Sequence, residues 1–394
     1  MTLAAGNFPP ALPFSPRKIA VLHAKAVGDL IVILPALGAI KQTYPDAELI
    51  LLAKPWVKEF FSGRPSPVDR IVSIPPLAGV NEPVESKGRL PPTGSDAYPV
   101  EVELFCQAMQ GEKLDVVIHM QGDGKSVNPF INKFAARVTA GMCNPPAESL
   151  DRSIPYVHYQ SEVLRNLEVA ALVGAHTTST GFEPRIEVTE SDEQEAEPVR
   201  QTIKGKPYIV IHPGADDIRR VWPAARFGEA ADCLIEKGYE VVVTGTPKEE
   251  GRVANVIRAM NRPAIPCTRL GLGGLAALLQ QSALVISNDT GPLHLARAAG
   301  ARTVGIYWAP NALNWGPLSR DRHRVAIGWQ LECPQCGIRP VSPWPFQPQT
   351  PDCSHPYSFV ESVPVAEVLA LATELLRPTT EHEPFFSEHS EQSC

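Results

Sequence analysis

Several features are scarce or missing in this sequence, and each absence excludes something. No stretch of about 18 apolar residues occurs, so no segment reads as a membrane-spanning helix. The first residues, MTLAAGNFPPALPFSPRK, lack a charged n-region and a continuous apolar centre. They do not read as a signal peptide, and a cytoplasmic location is expected. Basic excess is missing too. The chain has 36 Lys and Arg against 43 Asp and Glu, a net charge of −7, which argues against a general nucleic-acid binder. Eight cysteines are few for 394 residues, and Cys106, Cys143, Cys233 and Cys267 are scattered, as expected of buried, reduced thiols. No glycine fingerprint follows the first strand. GLGGL (Gly271–Leu275) precedes a strand instead, so a dehydrogenase reading is weak.

What the chain does have is length and rhythm. Its 394 residues exceed one ordinary core and suit two domains of roughly 150–200 residues each. Runs rich in Val, Ile and Leu alternate with helix-length segments. KIAVLHA, AELILLA, VDRIVSI and LDVVIHM do so in the first half, and YIVIHPG, YEVVVTG, ALVISND and RTVGIYW in the second. Such alternation predicts parallel strands in an α/β fold. Phe227, Ala230, Ala231, Leu234 and Ile235 fall on one helical face, and Gly238 is placed to end that helix. The chain's 40 prolines concentrate in loops, and Pro75–Pro99 is expected to be a long one. The polar stretch Glu190–Pro207 reads as a junction. It separates an N-terminal Rossmann-like domain (1–190) from a C-terminal one (191–375), followed by a frayed tail (376–394). Two such domains would face a cleft.

Three strand-to-helix turns carry more polar chemistry than folding requires. Ligands of open parallel sheets bind beyond the carboxyl ends of the strands, and a helix start there favours anions. SNDTGPLHLARAAG (Ser287–Gly300) offers Asp289 as a cap or ribose ligand, Thr290 as a hydroxyl donor, and Gly291 for close backbone approach. His294 lies one turn inside the helix. HPGADDIRRVWP (His212–Pro223) offers Gly214 and the cationic pair Arg219 and Arg220, suited to a diphosphate. AVGDLIVILPAL places Gly28 and Asp29 at the first strand's end. Asp29 reads either as a helix cap or as a base, and Lys25 before it as a holder of an anionic acceptor.

Together these turns, with GDLIVILPALGAIKQTYPDAEL, HPGADDIRRVWPAARF and NDTGPLHLARAAGARTVGIY, resemble glycosyltransferase family 9, the bacterial ADP-heptose:lipopolysaccharide heptosyltransferases. The resemblance runs from about Lys18 to about Leu369. It implies a GT-B fold and inverting transfer with no catalytic metal. Asp29 then matches the base, and Arg220 the basic residue that holds the departing diphosphate, where the family usually has Lys. Asp289, Thr290, Gly291 and His294 match the donor site, with Gly214 and Arg219 beside it. An acid that binds the donor falls at Glu249 or Glu250. The implied partners are ADP-heptose and a lipopolysaccharide-core or related glycan acceptor. Such an acceptor would bring the chain to the inner face of the inner membrane as a peripheral contact. A protein acceptor, another nucleotide sugar, or a non-catalytic nucleotide-sugar-binding role are the competing readings.

Cys333 and Cys336 form a C-x2-C pair, with Cys353 and His355 following. That set reads either as a structural zinc or iron site or as unligated thiols. Members of the family often carry four cysteines here. The fourth position resembles Ser358, so the set closes only if His355 substitutes. Some relatives that modify proteins carry such an iron finger. Trp308, Trp315 and Trp344 read as packing rather than as sugar platforms.

Overall fold

The computed structural model describes residues 11–82, 98–177, 182–340, 353 and 355–377. Most of the expected Pro75–Pro99 loop, the tail from 378 and Trp344 lie outside those residues.

The first lobe runs β1 (Lys18–Leu22), α1 (Val27–Thr43), β2 (Glu48–Ala53), α2 (Pro55–Phe60), β3 (Arg70–Ser73), α3 (Val100–Gly111), β4 (Val116–His119), α4 (Val127–Asn132), β5 (Val138–Met142), β6 (Arg152–Ile154) and α5 (Glu162–Ala171). Its six parallel strands are ordered β3-β2-β1-β4-β5-β6. The second lobe runs α6 (Glu190–Ile203), β7 (Tyr208–His212), α7 (Ala224–Glu236), β8 (Glu240–Thr244), α8 (Glu250–Ala259), β9 (Ile265–Cys267), α9 (Leu272–Gln281), β10 (Leu284–Asn288), α10 (Gly291–Ala298), β11 (Thr303–Trp308), α11 (Ala309–Trp315), β12 (His323–Gly328) and α12 (Val365–Leu376). Its six parallel strands are ordered β12-β11-β10-β7-β8-β9. In both sheets the strand order reverses beside the strand that opens the lobe, β1 or β7. That is where ligands of open α/β sheets collect.

Helix α1 explains how the lobes meet. It is apolar all round: Leu30, Ile31, Val32, Ile33, Leu34, Ala36, Leu37, Ala39 and Ile40 are all buried. A helix without a polar face must be covered on every side. The first sheet covers one side, through Ile19, Val21, Leu49 and Leu51, α5 another, and α10 of the second lobe a third. One apolar core therefore continues from Ile19 and Leu37 into Val210, Val285 and Leu295. The expected cleft is thus closed where α1 and α10 touch. Helix α10 carries mostly small and apolar residues, and Leu293–Ala298 are all buried.

Of the four scattered thiols, Cys106 and Cys267 are buried, and burial pushes both up to about 11. Cys143, just beyond β5, and Cys233, on a half-covered side of α7, are only half-buried, so the expectation of burial fails for them. Trp308 packs against Phe359 with ring centroids 4.7 Å apart. No helix among the described residues is long and apolar enough to cross a membrane.

Candidate active site

The site is built where the N-termini of α1 and α10 meet. A Cβ added to Gly291 would lie 3.1 Å from Val27 Cβ. One added to Gly28 would lie 2.8 Å from His294 Cδ2. The close approach of two helices from different lobes leaves no room for a side chain at Gly28 and crowds one at Gly291. For Gly291 this gives a reason, separate from ligand access, for having no side chain. Pro292, next in α10, has no N–H, so this helix start carries fewer free donors than its position suggests.

On the first-lobe side the β1–α1 loop is pinned by Ala24, whose N–H donates to Gln121 Oε1 at 2.7 Å. Asp29 is the third residue of α1. Its Oδ2 accepts from the Ala26 N–H at 3.1 Å, so the carboxylate does cap its helix. Burial raises the Asp29 carboxyl above its ordinary value, against the pull of the Ala26 hydrogen bond and the Lys25 charge. A carboxylate so raised is a better proton acceptor than a solvated one. Lys25 is exposed at the mouth of the same loop. A second carboxyl, Glu162 at the start of α5, is also raised by burial, and the charge of Asp29 adds to the effect. It pairs with the buried Arg165, which lies over the Tyr156 ring at 4.4 Å. No motif marked Glu162; it reaches the site only because α5 packs on α1.

On the second-lobe side Asp289 is 1% exposed. Its oxygens accept from Arg220 Nη1 at 3.2 Å, Asn311 Nδ2 at 2.9 Å and His294 Nε2 at 3.2 Å. Burial alone would raise its carboxyl, but His294, Arg220 and Asn311 together hold it below the ordinary value. Asp289 is not the helix cap, since Thr290 holds the N-cap position of α10. Both oxygens are occupied by protein donors, and Asp289 faces the site through Arg220. Thr290 is the N-cap of α10, but its side chain makes no cap hydrogen bond. Asn311, on α11, was invisible to the sequence reading because α11 follows a different strand.

The arginine pair diverges. Arg220 Nη1 also donates to the Asp289 carbonyl at 2.9 Å, so one nitrogen makes both contacts. Arg219 turns the other way and forms an ion pair with Asp217, Nη2 to Oδ2 at 2.7 Å. They do not form one fork, because adjacent residues of the short turn Ile218–Arg220 point apart.

Between Glu249 and Glu250 the structure separates two places. Glu249 lies against Gly214: a Cβ there would be 2.1 Å from Glu249 Oε1 and 2.7 Å from His212 Nε2. Its Oε2 accepts from the Thr246 N–H and hydroxyl, each at 2.9 Å. Burial would raise the Glu249 carboxyl; the Thr246 bonds and nearby His212 and Arg252 hold it below its ordinary value. Glu250 instead lines a separate groove with Val253, Ile257 and Thr268, away from the β7 end.

The Cys333, Cys336, Cys353 and His355 ligand atoms all lie within 4.8 Å of one another. Cys336 Sγ and Cys353 Sγ are 3.4 Å apart, and Cys353 Sγ and His355 Nδ1 also 3.4 Å. These spacings fit the edges of a tetrahedron around one ion. His355 completes the set, while the Ser358 hydroxyl donates to the Val221 carbonyl at 2.6 Å. Phe359 N–H donates to the Arg219 carbonyl at 2.9 Å. The segment that follows the cluster is thus stitched to the turn carrying Arg220.

Known proteins resemble this chain in sequence and fold. The family description "Glycosyltransferase family 9 (heptosyltransferase)" matches residues 103–339. Lipopolysaccharide heptosyltransferase 3 of Escherichia coli is 27% identical over 180 residues, 45% of this chain and 49% of that protein; the match thus spans about half the relative's length. Among solved structures, the family 9 glycosyl transferase from Veillonella parvula DSM 2008 superposes with a TM-score of 0.72 at 19% identity, covering 93% of this chain and 99% of that one. The ADP-heptose LPS heptosyltransferase II of E. coli gives 0.65 at 19% identity, covering 91% and 98%. The fold is the GT-B fold of those proteins, and with a family match over more than half its length, the chain belongs to glycosyltransferase family 9.

Proposed function

We propose that the chain transfers a heptose from ADP-heptose to a hydroxyl of a lipopolysaccharide core or related glycan, with inversion and with no catalytic metal. The observation that carries the reading is the meeting of the α1 and α10 N-termini. It sets the raised carboxyl of Asp29 against the cluster of Asp289, His294 and Arg220. The names of the heptosyltransferase relatives support the sugar and acceptor class.

In this reading the acceptor oxygen attacks the anomeric carbon from the face opposite the diphosphate. Asp29 takes its proton, a contribution of roughly 10²–10⁴ in rate. Arg220, fixed by Asp289 through a single nitrogen, directs its remaining N–H groups at the leaving phosphate and offsets the charge that grows there. Glu249, held beside Gly214 at the β7 end, binds the donor's ribose or sugar hydroxyls. Thr290 and Gly291 line the diphosphate's approach, and Lys25 steers an anionic acceptor. Domain boundaries near residue 190 give an acceptor lobe and a donor lobe. A zinc or iron ion held by Cys333, Cys336, Cys353 and His355 would cross-link the segment stitched to the Arg220 turn; its role is structural.

The test is ADP release from a panel of nucleotide sugars, with mass spectrometry of the product made on core glycans. ADP-heptose should be the preferred donor, and Asp29→Ala should bind ADP normally while losing transfer. Wild-type transfer by Asp29→Ala would remove Asp29 as the base. Turnover only on a protein acceptor, or only from another nucleotide sugar, would overturn the substrate assignment.

A further inference from the structure

His294 is held from two sides. Its Nε2 lies 3.2 Å from Asp289 Oδ1, and its Nδ1 lies 3.4 Å from Arg297 Nη1. A guanidinium has donors and no acceptor. Nδ1 must therefore be the accepting nitrogen, and the ring's proton sits on Nε2, where the Asp289 carboxylate takes it. The opposite tautomer would set N–H against N–H on one side and a lone pair against a carboxylate on the other. Both neighbours select the same tautomer.

We propose that Arg297 is a positioning residue of this site: it fixes His294 as the Nε2–H tautomer, and through it keeps Asp289 facing Arg220. The placement of Arg297 is otherwise hard to explain. Its side chain is 3% exposed, and its nearest acid, Glu183, is 3.8 Å away. Its Nε is buried with no partner among the described residues. Burying a guanidinium is costly even beside an ion pair, and an apolar side chain of similar volume often fills such a space at no greater cost. What the arginine gains there is two directed bonds from one nitrogen: to His294 Nδ1, and to the Trp315 carbonyl at 2.9 Å. The second bond ties in the end of α11, the helix that carries Asn311, another donor to Asp289. Arg297 thus orients two of the three side chains that hold the Asp289 carboxylate. The charged groups around the ring are Asp289 at the β10 end, Arg297 on α10, Asp29 on α1, and Arg220 beyond Asp289.

The consequence for catalysis rests on the function proposed above; the tautomer does not. The experiment uses the full chain labelled with ¹⁵N-histidine. Long-range ¹H–¹⁵N correlations are recorded without substrate, and His294 is assigned by the signals lost in His294→Gln. The wild type should show a protonated Nε2 and a bare Nδ1. Arg297→Lys, which keeps a donor, should retain that pattern; Arg297→Met should show protonated Nδ1 in a substantial fraction of molecules. In ADP release, Arg297→Met should lower kcat by about 10–100-fold, as removing an orienting partner does elsewhere, with the donor KM within about threefold and partial rescue by Arg297→Lys. A protonated Nδ1 in the wild type would overturn the proposal. So would a wild-type nitrogen pattern in Arg297→Met. If Arg297→Met fails to fold, the wild-type and Arg297→Lys patterns decide. Absence of sugar transfer by the wild type would count against the proposed function and leave the nitrogen result standing.

Discussion

Two glycines of α1 give opposite predictions for the same substitution. A Cβ at Gly28 would sit 2.8 Å from His294 Cδ2 and 3.6 Å from its Cγ and Nε2. The ring cannot swing away cheaply. It is buried, and rotation would break its bonds to Asp289 and to Arg297. The helices must separate by several tenths of an ångström, an overpacking cost of about 1–3 kcal/mol. At Gly38, in the middle of the same helix, no atom lies within 4 Å of the added carbon. There alanine should stabilise by about 0.5–1 kcal/mol, because it removes glycine's excess freedom in the unfolded chain. The two Gly→Ala variants should therefore differ by about 1.5–4 kcal/mol in urea unfolding followed by circular dichroism, with wild type between them. Gly28→Ala should also lower kcat/KM for ADP release, though it removes no functional group, since it displaces His294. If Gly28→Ala matched Gly38→Ala in stability and transferred at the wild-type rate, the claimed contact between the helix starts would be refuted.

Other outcomes follow from the same geometry. Burial raises the Asp29 carboxyl, so kcat/KM should fall on the acid side at a pH above the ordinary carboxylate range. For the same reason ionised Asp29 costs stability at neutral pH, and that cost fades as pH falls through its raised value. Asp29→Asn should therefore be more stable than wild type at pH 7.5, and the gain should shrink towards pH 4; a gain that grows on acidification would contradict the assigned direction. Arg220→Met leaves the buried Asp289 without its cation and should cost about 1–3 kcal/mol, with weaker ADP binding by calorimetry. Gly214→Ala must displace Glu249 and should raise the donor KM by about tenfold, the loss of one charge-assisted hydrogen bond. Purified chain should contain about one zinc or iron by elemental analysis, and Cys333→Ser should lose it and unfold at lower urea.

Much of the scaffold was legible because it rests on local pattern. Eight Val-, Ile- and Leu-rich runs were readable as strands. The four that were missed, β5, β6, β9 and β12, lack such runs. β9 is three residues with a proline, β6 is Arg-Ser-Ile, and both β9 and β12 lie at sheet edges, where one side goes unpaired. At β5 the strand carries Gly141 because the His119 ring occupies the space of a side chain there, a fact no single-chain pattern contains. The site shows the same division. Asp29, Asp289 and His294 were visible because strand-to-helix turns advertise themselves. Arg297 was invisible because its position in α10 looks like any surface arginine on a helix; only the packing of α11 and the linker over it reveals that it is buried. Asn311 and Glu162 were missed for the same reason: they act across elements that are distant in sequence.

The meeting of α1 and α10 poses an electrostatic problem whose solution bears on function. Each helix start carries partial positive charge from unpaired N–H groups, and bringing two such ends into contact is unfavourable. The contact persists with a carboxylate at each end: Asp29 in the first turn of α1, Asp289 just before α10. Asp289 is fully committed to protein donors, so its charge is spent on Arg220, Asn311 and His294. Asp29 is less committed: among the described residues no side chain donates to it as three do to Asp289, and it is the one whose carboxyl is raised. When Asp29 takes a proton, the junction loses one of its two neutralising charges and becomes more positive. That change occurs at the moment when, in the proposed reaction, negative charge develops on the departing diphosphate beside Arg220. In the proposed reaction, the packing that crowds positions 28 and 291 therefore couples the protonation of Asp29 to a stronger field for the leaving group.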